Sequence, residues 1–148
     1  MSDGSVRGEG RIDVLLIEDD PGDVVMTREA FEDGGLVATL HVARDGVEAL
    51  DFLRGTGEFA GAPRPDLVLL DLNLPRLPGH EVLAQIRADQ RLTQLPVVVL
   101  TTSSDQGDVE ASYRLHANAH VTKPTDYAGF VAVLTEIEDF FGRVARLP

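Results

Sequence analysis

Three runs of four apolar residues, Val14-Leu15-Leu16-Ile17, Leu67-Val68-Leu69-Leu70 and Val97-Val98-Val99-Leu100, constrain the fold most. Each run is apolar at every position, not at every second one. A strand covered on one face alternates apolar with polar residues. A strand covered on both faces does not, and such strands belong to parallel sheets flanked by helices. The segments between the runs have helical character. Pro21 suits a first helical turn, where its missing N–H is not needed, and a helix is expected over 21–33, stopped by Gly34-Gly35. Thr39-Leu40-His41-Val42 mixes apolar with polar residues, as an edge strand does. Asp45-Gly46 turns the chain into a helix over 47–53. Residues 54–65 hold Gly55, Gly57, Gly61, Pro63 and Pro65 and form a long loop. Further helices are expected over 81–88, after Pro75, Pro78 and Gly79, and over 108–115 and 126–144. A short fifth strand is His120-Val121-Thr122. Strands alternating with helices predict an α/β protein, a doubly wound five-stranded parallel sheet with five helices.

A chain of 148 residues is one domain of ordinary size. No repeat or second domain is visible, so residues 11–148 form a single domain. Residues 1–10 are rich in Gly, Ser and charge, lack the apolar core of a signal peptide, and are expected to be a disordered tail. No apolar run reaches the length of a membrane span, which by default places the chain in the cytoplasm. There is no cysteine, so disulfides and thiolate chemistry are excluded, and the histidines His41, His80, His116 and His120 lack metal-ligand spacing. The net charge is −12 and Lys123 is the one lysine, which argues against nucleic acid as a partner.

In open α/β sheets, ligands bind beyond the carboxyl ends of the strands. Those ends carry Glu18-Asp19-Asp20 after the first strand, Asp71 after the third, Thr101-Thr102 after the fourth and Lys123 after the fifth. Acidic residues after strands often only cap the next helix, and Asp20 before Pro21 suits that role equally well. Glu18, Asp19 and Asp71 together would repel one another and call for a cation. An all-oxygen set favours a hard ion such as Mg2+ or Mn2+. No Ser-His pair is available for ester or peptide hydrolysis. Phosphoryl transfer, in which positioning and charge neutralisation carry the catalysis, fits better, and a carboxylate can itself be the nucleophile.

The stretches LLIEDDPGD (15–23), LVLLDLNLPRLPG (67–79), PVVVLTTSSD (96–105) and HVTKP (120–124) arrive in the order and spacing of a known family. Over residues 12–141 the chain resembles the receiver domain of bacterial two-component response regulators. The resemblance implies strand order 2-1-3-4-5, phosphorylation by a sensor histidine kinase with Mg2+ or Mn2+, and no enzymatic turnover beyond the chain's own phosphotransfer and autodephosphorylation. Asp71 would be the phosphoacceptor. The metal would be held by Asp19, Asp71 and the backbone carbonyl of Asn73, with Glu18 acting through water. Thr101 would be the switch hydroxyl, Thr102 would lie over the site, and Lys123 would bond the phosphoryl oxygens. The Lys123–Pro124 peptide would be cis. The family's second switch residue is Tyr or Phe; here it is His120, which could flip as a planar ring or sit on the surface.

The loop 54–65, LLDLNLP, VVVLTTSSD and the ending IEDFF (137–141) are similar to a subgroup of single-domain regulators paired with bacteriophytochrome histidine kinases. With no output domain expected, output would run through contact with a downstream protein. Phe130, Val133, Leu134, Ile137, Phe141 and Val144 follow helical spacing, while Phe140 lies about 100° from Phe141 around the helix. Phe140 therefore belongs either to a wide core stripe or to a homodimer surface on helix four, strand five and helix five. Two other functions compete. A metal-dependent phosphatase of the haloacid-dehalogenase kind needs a second Asp at position 73, where this chain has Asn73. A binding module that keeps only the receiver fold would not need its complete acidic set.

Overall fold

The computed structural model describes residues 12–33, 38–144 and 147–148. The expected tail and the Gly34-Gly35 stop lie outside them. Five strands form one parallel sheet: β1 (Ile12–Ile17), β2 (Ala38–Ala43), β3 (Leu67–Leu70), β4 (Val97–Thr101) and β5 (Ala119–Thr122). Their order is β2-β1-β3-β4-β5, so the mixed segment β2 is an edge and the fully apolar runs lie inside, as the patterning predicts. The helices are α1 (Pro21–Asp33), α2 (Gly46–Arg54), α3 (Gly79–Ala88), α4 (Gln106–Arg114) and α5 (Tyr127–Asp139).

The apolar runs divide between two cores because successive strand residues point to opposite faces. Leu15, Ile17, Val68, Leu70, Val97 and Val99 pack against Leu50 and Phe52 of α2 and Val82, Leu83 and Ile86 of α3. Val14, Leu16, Leu67, Leu69, Val98 and Leu100 pack against Val24 and Phe31 of α1 and Phe130, Leu134 and Ile137 of α5. Helices thus cover both faces, which is why the three interior runs are apolar at every position. No helix among the described residues is long and apolar enough to cross a membrane.

Two segments differ from expectation. The loop 54–65 contains a 3-10 turn, Gly57–Phe59, with Phe59 packed against the core beside α2, 5.5 Å from the Phe52 ring. The last helix stops at Asp139 and continues as a π turn, Phe140–Val144. This turn alters the register of the C-terminal residues. Phe140 is 50% exposed, while its neighbour Phe141 packs half-buried against the core.

The end of β3 is held by a close approach that only glycine permits. A Cβ on Gly79 would lie 2.5 Å from the carbonyl oxygen of Asp71 and 2.6 Å from Cα of Leu72. The Gly79 N–H also donates to the Leu72 carbonyl at 3.0 Å. The first turn of α3 therefore presses directly on the backbone that presents Asp71. We expect Gly79→Ala to destabilise the fold by about 1–3 kcal/mol, as overpacking does. Urea denaturation checks this; an unchanged midpoint would show that the loop yields freely.

Candidate functional site

The topological switch point lies between β1 and β3, whose chain connections depart toward opposite edges of the sheet. Glu18 and Asp19 follow β1 there, and Asp71 follows β3. Backbone bonds lock these tips together: Glu18 N–H donates to the Ala43 carbonyl at 3.0 Å, and Asp71 N–H to the Ile17 carbonyl at 3.0 Å. On the other side, Lys123 N–H donates to the Thr101 carbonyl at 2.7 Å. One carboxylate oxygen from each of Glu18, Asp19 and Asp71 lies within 4.8 Å of the others. Glu18 and Asp71 are buried and Asp19 is exposed, which leaves the cluster open to solvent on one side.

Lys123 reaches into this cluster and is itself buried. Its ammonium donates to Glu18 Oε1 at 2.5 Å and to Asp23 Oδ2 at 2.7 Å, and stands 3.6 Å from Asp71 Oδ2. Glu18 uses its second oxygen to accept the Asp20 N–H at 3.1 Å. Burial, opposed by the Lys123 hydrogen bond and reinforced by the nearby Asp71 charge, pushes the Glu18 carboxyl up to about 7. Burial works against the Lys123 ammonium as well, but the bonds to Asp23 and Glu18 more than reverse it and hold Lys123 above the ordinary lysine range. An all-oxygen donor set of this kind fits Mg2+ or Mn2+.

Most of the expected site residues come together. Asn73 follows Asp71 closely and donates its N–H to Asp71 Oδ1 at 3.3 Å. Thr101 is fully buried, and its Oγ1 accepts the Ser103 N–H at 3.4 Å. Thr102 is exposed on the rim of a cleft of about 650 Å³ shared with Asp20, Asp23 and Lys123. Asp20 caps the start of α1 by accepting the Gly22 N–H at 2.9 Å. His120 is not a loose surface ring. Its Nδ1 lies 2.9 Å from the Ser112 hydroxyl and its Nε2 lies 3.2 Å from the Ser103 carbonyl, so any flip must break both contacts.

One expectation fails and one residue was missed. The Lys123–Pro124 peptide is trans, since no peptide bond among the described residues is cis. Trans is the lower-energy isomer of X-Pro bonds, and Lys123 reaches its carboxylates from it. Asp23 was overlooked because it lies inside a helix rather than at a strand end. The available signal was Pro21: a helix starting this close to the β1 tip turns its first residues toward the same pocket.

Because the folded pKa of Glu18 lies above its ordinary value of 4.5, the folded chain binds this proton more tightly than the unfolded one. The stability that results is complete below pH 4.5 and is lost as pH rises through about 7. In chelator, the unfolding free energy of the wild type should therefore fall over this window, relative to Glu18→Gln, by about 1–3 kcal/mol. Urea titrations at several pH values measure the difference, and a flat difference would contradict the assignment.

The description of the response regulator receiver domain family matches residues 14–135. Response regulator Rcp1 of Synechocystis sp. is 42% identical over 135 residues, which cover 91% of this chain and 92% of that protein. A crystal structure of the phosphorylated cyanobacterial phytochrome response regulator RcpA superposes with a TM-score of 0.90 at 41% identity, covering 93% of this chain and 99% of that one. A crystal structure of the Mn2+-bound form of response regulator Rcp1 gives a TM-score of 0.89 at 41% identity, with the same coverage. With the matching sheet order and the acidic cluster at the switch point, these likenesses establish that the chain belongs to the response regulator receiver domain family.

Proposed function

We propose that Asp71 accepts a phosphoryl group from the phosphohistidine of a sensor histidine kinase, and that the chain signals through the face this modification reshapes. The observation that carries the reading is the meeting of Glu18, Asp19 and Asp71 within 4.8 Å, with the Lys123 ammonium 3.6 Å from Asp71. A carboxylate oxygen of Asp71 forms the new P–O bond as the P–N bond to the kinase histidine breaks, and the departing imidazole takes up a proton from solvent. Asp19, Asp71 and the Asn73 carbonyl would hold Mg2+ or Mn2+, with Glu18 acting through water, and the ion would neutralise charge on the carboxylates and the transferred oxygens. Lys123 then bonds a phosphoryl oxygen, and the Thr101 hydroxyl turns from Ser103 toward the same group. That turn loosens the segment which His120 ties to α4 through Ser103 and Ser112, coupling the pocket to α4, β5 and α5. Incubation with acetyl phosphate and Mg2+ should add one phosphoryl group by intact mass to the wild type and none to Asp71→Asn. Equal labelling of both would remove Asp71 from the role.

The likeness to phytochrome response regulators supports a bacteriophytochrome kinase as the donor. Output then runs through protein contact, and a second copy of the chain is the first such partner. An apolar groove lined by Ala119, Val121, Val133, Ile137, Phe140 and Phe141 opens between β5 and α5, and Phe140 stands half-exposed on its rim. An aromatic ring in that position favours association. Phe140→Glu should weaken self-association at least tenfold by sedimentation velocity while leaving Asp71 labelling intact. An unchanged sedimentation coefficient in the variant would place the dimer contact elsewhere.

A further inference from the structure

Lys123 has more carboxylates around it than the transfer of a phosphoryl group requires. An ammonium has three protons, and two are already placed, on Glu18 at 2.5 Å and on Asp23 at 2.7 Å. The gap of 3.6 Å to Asp71 Oδ2 is too long for a hydrogen bond. The oxygens of Asp71 are thus not capped by the ammonium, which keeps their lone pairs available for attack. Glu18 belongs to the acidic cluster and also accepts the Asp20 N–H. Asp23 lies outside that cluster, in the first turn of α1, where the helix N-terminus favours an anionic side chain. Its carboxylate is mostly buried against Lys123 and borders the cleft shared with Thr102.

We propose that Asp23 is a positioning residue that competes with the phosphoryl group for Lys123. The inference rests on Asp71 being the phosphoacceptor. In the resting state Asp23 and Glu18 hold the ammonium off the nucleophile. In the loaded state Lys123 exchanges its bond to Asp23 for one to a phosphoryl oxygen. Asp23 therefore biases the chain toward its unphosphorylated form without touching the reacting atoms.

The probe is beryllium fluoride with Mg2+, a phosphoryl mimic, read by fluorine NMR. Asp23→Asn should lower the concentration for half-loading by about three- to tenfold, the range of a partly exposed charged hydrogen bond. Asp23→Glu, which restores a carboxylate, should return it toward the wild-type value. Asp20→Asn removes a nearby charge that does not touch Lys123, and should shift loading by less than half as much. Lys123 is the only lysine in the chain, so isotope-labelled lysine gives a single side-chain signal. That signal should differ between wild type and Asp23→Asn in the free proteins and coincide in the loaded ones. Unchanged or weaker loading of Asp23→Asn, an equal effect from Asp20→Asn, or a Lys123 signal insensitive to Asp23 would each overturn the proposal. A wild type that loads normally but shows any of these results leaves the phosphoacceptor reading standing; a wild type that cannot be loaded at all defeats both.

Discussion

One buried ammonium holds the strand tips of this protein in their working arrangement. Glu18 and Asp71 are withdrawn from water only a few ångströms apart, and two such charges cannot remain together without a compensating cation. Lys123 supplies that compensation from the far side of the sheet, 105 residues along the chain from Glu18. The main-chain bond from Lys123 to Thr101 then ties the same residue to the end of β4. Removing the lysine would leave buried carboxylates uncompensated, and such losses cost far more than the pair contributes when complete. The pocket is therefore a balance of charges, and any ligand that enters must join that balance. The carboxylates are the groups a divalent cation would draw on.

The scaffold makes this balance possible because it is closely packed where the carboxylates sit. β1 and β3 are covered on both faces by α1, α5, α2 and α3, and Gly79 lets α3 sit directly against the backbone of Asp71 and Leu72. The segment after β4 is different. Ser103 is joined to Thr101 and to His120 by single hydrogen bonds of 3.4 and 3.2 Å. Ser103 thus stands between Thr101 and His120, and His120 in turn meets Ser112 of α4. An imidazole in place of a Tyr or Phe ring changes the nature of that link. A phenyl ring is held by packing alone, whereas His120 is tied through both ring nitrogens.

Much of this could be read along the chain. Runs that are apolar at every position announced interior strands, and the mixed run 39–42 announced an edge. Asp71, Glu18, Asp19 and Lys123 were legible because each directly follows a strand, and strands in such sheets all end on one side. Asp23 was not, because a residue inside a helix can face any direction until the helix is docked. The π turn after Asp139 was also hidden, since helical periodicity does not reveal a local change of register, although the 100° step from Phe141 already offered an outward Phe140 as one of two alternatives. The trans Lys123–Pro124 peptide corrects an expectation that came from family likeness and had no support in these residues themselves.

By itself the sequence determined which segments lie inside the sheet and which side chains stand at its tips. Both follow from local rules: the two-residue alternation of a strand and the need to cover every apolar face. Only the tertiary structure decided how the charges pair. Lys123 had Glu18, Asp19, Asp23 and Asp71 within conceivable reach, and its choice of Glu18 and Asp23 over Asp71 is a difference of about one ångström. Distances on that scale are set by how α1 docks against α5 and how β3 is pressed by α3. No rule confined to neighbouring residues contains them.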